Sequence, residues 1–148
     1  MRLVVDANIL FSYFKKKSST RDLIISNPDL EMYVPSFIFK ELEKYRDVII
    51  KKAKIDERKF NIIIKDLKNI TLKMEINEIK GQWENALNIC PDPDDVQYFA
   101  TALELGCAIW SNDKRLKNQD DVVVLNTKEI LSMLSDTDHE CDNDESNE

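Results

Sequence analysis

Three short apolar runs constrain this chain more than any other feature. Leu3-Val4-Val5, Cys107-Ala108-Ile109-Trp110-Ser111 and Val122-Val123-Val124-Leu125 are apolar along almost their whole length, without strict alternation. That is the pattern of strands covered on both faces. Glu31 to Val34, closed by Pro35, and Thr71 to Met74 add two strand candidates. Between the runs the apolar residues recur at helical spacing, as in Ile9, Leu10, Tyr13 and Phe14. Strands alternating with helices predict an α/β domain of three layers, α/β/α, around a mainly parallel central sheet. Ligands of such sheets bind beyond the carboxyl ends of the strands, so acids at strand ends are the first to consider.

The helical segments are read from periodicity and caps. A helix is expected to start near Asn8, and Thr20 to Ser26 forms another, ended by Asn27-Pro28. Ser36 to about Lys52 reads as one helix whose inward face holds Phe37, Ile38, Leu42, Tyr45, Val48 and Ile49. Asp56 caps a helix running to Asn69, and Asn77 to Ile89 forms another with Ile79, Trp83, Ala86 and Leu87 inward. Val96 to Leu105 ends at Gly106, and Thr127 caps a last short helix, Lys128 to Leu134.

With 148 residues, one domain is expected, covering residues 1–135. The net charge of −7 argues at first against a nucleic-acid partner, but its distribution reverses that inference. From Asp136 to Glu148 there are seven acids and no Lys or Arg, which leaves 21 acids against 21 bases in residues 1–135. Residues 136–148 therefore read as an acidic, disordered tail. No apolar run approaches a membrane span, and MRLVVDANILF lacks the order of a signal peptide, so a cytoplasmic protein with no membrane association is expected. Cys90, Cys107 and Cys141 stand far apart and suggest neither a zinc cluster nor a disulfide framework. The only histidine, His139, lies in the acidic tail, so chemistry based on histidine is excluded and carboxylates must carry the work.

Four acids resist explanation as surface. Asp6 ends the first apolar run and Asp113 follows Ser111 by two residues, so parallel strands place both at one edge of the sheet. Each alone is also an ordinary turn or cap residue. Glu41 lies four residues from both Phe37 and Tyr45, on the expected inward face, where an unpaired carboxylate is costly. A salt bridge to a buried base is the alternative explanation. Asp95 begins the Val96–Leu105 helix beside Asp94, and either can cap it while the other faces inward. Converging carboxylates repel unless cations are present, and sites built from oxygen alone suit Mg²⁺ or Mn²⁺.

The motifs VVDANIL, a Glu in the helix after the second strand, PDPDDVQYFATALELG and IWSNDKRL together resemble the PIN-domain nucleases, from about Met1 to Leu134. The resemblance implies a PIN-like fold in which Asp6, Glu41, Asp95 and Asp113 form the metal site. The spacing from Asp95 to Ala100 and Ala102 matches the family's helix and selects Asp95 over Asp94. Asn8 takes the place of a polar helper that orients a carboxylate or the scissile phosphate. Asp92 and Asp94 stand beside the matched acid as a departure from the pattern.

The resemblance further implies cleavage of single-stranded RNA by a water activated by Mg²⁺ or Mn²⁺. It also implies an antitoxin protein as partner, for many relatives are toxins of toxin–antitoxin pairs, and assembly as a homodimer. Lys15, Lys16, Lys17, Lys114 and Arg115 neighbour the acids and are candidates to hold RNA phosphates, or simply a solvated rim. Tyr13, Phe14 and Trp110 are expected in the core. Two other functions compete. One is an RNA-binding or regulatory module whose site no longer cleaves. The other is a phosphoryl-aspartate phosphatase or receiver, against which Asn8 stands where the phosphatase pattern wants a second Asp.

Overall fold

The computed structural model describes the backbone of residues 1–146 and the side chains of residues 1–136. Five parallel strands, β1 (Arg2–Val5), β2 (Glu31–Pro35), β3 (Thr71–Met74), β4 (Ala108–Trp110) and β5 (Val124–Leu125), lie in the order β3-β2-β1-β4-β5 with helices on both sides. The expected α/β/α architecture is therefore the observed one. Central β1 is buried from its second residue on, with Leu3, Val4 and Val5 at most 1% exposed. The order of strands reverses at β1: the chain moves first to β2 and β3 on one side, then returns to β4 and β5 on the other. A crevice opens where neighbouring connections leave a parallel sheet in opposite directions, here at the carboxyl ends of β1 and β4. Val5 is in register with Trp110, so Asp6 and Ser111 emerge side by side.

α1 (Ala7–Tyr13) starts directly after β1, because Asp6 caps it. α2 (Ser19–Ser26) follows the basic loop 15–17. The single helix expected over Ser36 to Lys52 is two, α3 (Ile38–Lys44) and α4 (Arg46–Ala53), bent at Tyr45, whose φ of −98° and ψ of 16° depart from helical values. The bend resets the helical phase. Ile38, Leu42 and Ile49 are buried, whereas Tyr45 and Val48 are 41% and 50% exposed instead of facing the core.

α5 (Glu57–Ile70) is capped by Asp56 as expected, which accepts the Lys59 N–H at 2.7 Å. The helix expected over Asn77 to Ile89 is also divided, into α6 (Ile76–Ile79), a 3₁₀ turn at Lys80–Gln82 and α7 (Trp83–Ile89). A capping box between Glu75 and Glu78 starts α6, and Gly81, a poor helix former, sits in the tightened turn. Leu87 is exposed as a result, while Ile79 and Ala86 remain inward.

α8 (Val96–Leu105) packs on β1, β2 and β4 and ends at Gly106, whose φ of 65° is the left-handed conformation that glycine adopts without strain. The last helix, α9 (Thr127–Ser146), is capped by Asn126 and not by Thr127. Asn126 accepts the Glu129 N–H at 2.8 Å, and Glu129 accepts the Asn126 N–H at 3.2 Å. Thr127 is instead buried, accepting from the Trp110 indole N–H at 3.0 Å with its hydroxyl 3.1 Å from that of Thr20. Tyr13, Phe14 and Trp110 belong to the core. The acidic tail expected from Asp136 onward lies, beyond that residue, outside the described side chains.

Candidate active site

Asp6 is 5% exposed at the carboxyl end of β1. One carboxylate oxygen accepts the Ile9 N–H at 3.0 Å, and the other accepts the Ser111 hydroxyl. The Ser111 oxygen in turn accepts the Asp113 N–H at 3.1 Å, so one hydroxyl ties the loops after β1 and β4 together. Burial pushes the Asp6 carboxyl above its ordinary range, with the charge of Asp113 adding to it, against the pull of the Ser111, Ile9 and Asn8 donors.

Asp95 joins the cluster from α8. The sequence left Asp94 and Asp95 competing to cap this helix, and neither does: Asp92 caps the preceding 3₁₀ turn (Pro93–Asp95) by accepting the Asp94 N–H at 3.0 Å. Asp95 ends that turn and stands at the cap position of α8, but its side chain makes no capping bond. Desolvation, then the charges of Asp92, Asp6 and Asp113, raise its carboxyl to about 6, while Arg115 opposes them. Asp113 behaves oppositely, because Arg115 grips it through Nε at 3.1 Å and Nη2 at 2.8 Å and holds its carboxyl below the usual range. Buried Tyr98 completes the wall: its hydroxyl accepts the Ala7 N–H at 3.2 Å. Its ionisation is suppressed by burial first and by Asp6, Asp95 and Glu41 in addition.

Residues 4–134 match the family model of the PIN domain. The chain belongs to the PIN-domain family. Its fold is similar to that of VapBC2 from Rickettsia felis, solved in crystals bound to a DNA fragment from their promoter, with a TM-score of 0.59 and 12% identity over 85% of this chain and 98% of that one. No curated protein sequence matches.

Within this PIN domain, Asp95 feels the charges of Asp6 and Asp113, and Asp6 feels that of Asp113, but Glu41 is not among the groups acting on them. It is half-buried on α3, and its charge reaches the Tyr98 hydroxyl. Of the two residues four places away, Phe37 packs on the Tyr98 ring with centroids 5.9 Å apart, while Tyr45 is exposed at the junction of α3 and α4. Asn8 is exposed on the first turn of α1. Lys15, Lys16, Lys17, Lys114 and Arg115 are all exposed, and Lys114 lines a cleft of about 720 Å³ with Asp113, Lys117 and Lys128.

Ser111 and Tyr98 were missed in the sequence. A polar residue ending a buried strand two places before an acid is the signal that marks Ser111. Tyr98 carries no such signal, because its role depends on α8 lying against the start of α1.

The donor chemistry fits a hard divalent cation: three carboxylates with no histidine or thiolate, one of them, Asp95, raised to about 6 by desolvation and then by the neighbouring acids. Among the described residues no three acidic, Cys or His side chains are already drawn into ligating positions, and Asp113 is turned onto Arg115.

Proposed function

We propose that this PIN domain is a metal-dependent ribonuclease that hydrolyses phosphodiester bonds of single-stranded RNA. The observation that supports it best is the convergence of Asp6, Asp95 and Asp113, from three separate segments, at the switch point of the sheet, with Asp95 raised to about 6. Asp6, Asp95 and Asp113 would hold Mg²⁺ or Mn²⁺, with Glu41 and Asn8 as outlying helpers. A bound divalent ion supplies an ionised water at neutral pH and neutralises charge on the departing oxygen.

The chain's own residues do the rest. Ser111 and the first turn of α1 orient Asp6. Asp95, raised to about 6, is ionised at neutral pH and available to hold the cation. Arg115 is released from Asp113 toward the phosphate, and Lys114 holds the neighbouring backbone, with Lys15, Lys16 and Lys17 on the other flank. Residues 1–135 would form the nuclease unit and 136–148 an acidic appendage. The reading extends to a toxin role with an antitoxin protein as partner, in a cytoplasmic homodimer.

The test is cleavage of a labelled single-stranded RNA in Mg²⁺ or Mn²⁺. Activity lost on adding EDTA and in Asp6→Asn is expected. RNA bound but never cut would instead make the protein a non-catalytic RNA-binding module.

A further inference from the structure

Beside the acidic cluster, a groove of about 470 Å³ opens between α1 and α4. Its walls are Phe11, Tyr45, Val48 and Ile49, and its rim carries Asn8, Lys15 and Lys52. The bend at Tyr45 is what creates it, by turning that ring and Val48 out of the core. The Phe11 and Tyr45 rings meet edge to face, with centroids 6.4 Å apart and planes at 85°. No acidic side chain is among the residues that line it.

The groove adjoins the candidate active site through Asn8, two residues beyond Asp6. Phe11 is five residues along α1 from Asp6, about 7.5 Å at the helical rise. Two aromatic rings set edge to face next to a site for a phosphodiester, flanked by lysines at two corners, have the chemistry of a platform on which one ring stacks a base and the other meets its edge. The volume is that of a pocket for one small organic group, and the lysines complement phosphates on either side of it.

We propose that this groove is a nucleobase pocket. It holds one base of a single-stranded RNA, stacked on Tyr45 against Phe11, while Lys15 and Lys52 take the flanking phosphates and Asn8 meets a polar edge of the base or its ribose. The proposal rests on the ribonuclease reading and supplies what the carboxylates lack, a grip on the substrate that does not depend on a cation.

Binding of a labelled single-stranded RNA to the full chain, measured by fluorescence anisotropy in EDTA at low salt, tests it. Tyr45→Ala is expected to weaken binding by about fivefold to a hundredfold, the range of one lost stacking contact, whereas Tyr45→Trp retains affinity. On an RNA of equal length carrying only abasic sugars, wild type and Tyr45→Ala should bind equally. Three results overturn the pocket: no RNA binding by the wild type, equal binding of intact RNA by Tyr45→Ala, or an equal loss on abasic RNA. Equal binding of intact RNA would leave the groove to a protein partner. Failure of the nuclease reading is separate, because it appears as absent cleavage in Mg²⁺ and Mn²⁺ whatever Tyr45 does to binding.

Discussion

Ser111 donates its hydroxyl to the buried Asp6 carboxylate across 105 residues of chain. Hydrogen bonds to charged groups contribute about 1.5–3 kcal/mol, and a buried carboxylate that loses one is left partly unsatisfied. Ser111→Ala should therefore lower the unfolding free energy by about that much, and Ser111→Thr should restore most of it. Urea denaturation at pH 7.5 in EDTA measures both.

Replacing any one of Asp6, Asp95 or Asp113 with Asn is expected to slow RNA cleavage at least about a hundredfold, the loss of roughly 3 kcal/mol of electrostatic stabilisation. Because the three act as a unit, the double variants should be little worse than the single ones. Circular dichroism of each variant checks that the fold is retained.

Asp95 gives a dependence on pH with a definite sign. Its carboxyl ionises near 6 when folded and near the ordinary 3.8 when unfolded, so its charge destabilises the metal-free fold as pH rises from about 4 to about 6. Asp95→Asn should then stabilise the protein at pH 8 by on the order of 1 kcal/mol, the shift being discounted for solvent screening, and should give no gain at pH 4. Thermal melts in EDTA at the two pH values would show it, and an equal effect at both would refute it.

Lys114 is expected to act on phosphates without a structural role. Lys114→Ala should leave stability within about 0.5 kcal/mol. It should also reduce the slope of log affinity for single-stranded RNA against log salt by about 0.7. Anisotropy titrations at several salt concentrations give that slope.

Thr127 accepts from Trp110, and its backbone N–H donates to Asn112 at 2.9 Å, next to Asp113. Thr127→Val leaves the buried indole N–H without its acceptor and should cost about 1–3 kcal/mol. Chemical denaturation of this near-isosteric variant isolates the hydroxyl from a change in volume.

The sheet and two of the three acids were legible because each buried strand announces itself as an apolar run and each acid stands where the run stops. Asp6 and Asp113 needed only parallel pairing to meet. Glu41 is half-buried and its charge reaches Tyr98, but the exposed Tyr45 four residues on shows that the i+4 relation alone did not fix its surroundings. The caps failed for a similar reason. Asp92, Asp94 and Asp95 are alike as residue types, and the turn set by Pro93 decides which one reaches an N–H. Asn126 and Thr127 are both good caps, and the choice fell to Asn126 once Trp110 claimed the Thr127 hydroxyl. The groove at Phe11 and Tyr45 has no local signature, because its walls belong to helices that are distant in sequence.

β4 enters the sheet beside β1 although more than a hundred residues separate them in the chain. During synthesis, a polypeptide that has emerged only as far as α8 already carries Asp6 and Asp95, but the hydroxyl and the third acid that complete the pocket are still inside the ribosome. On the proposed reading, hydrolysis waits until β4 has paired with β1, and a product terminated before Ser111 would lack both the hydroxyl that orients Asp6 and the third acid.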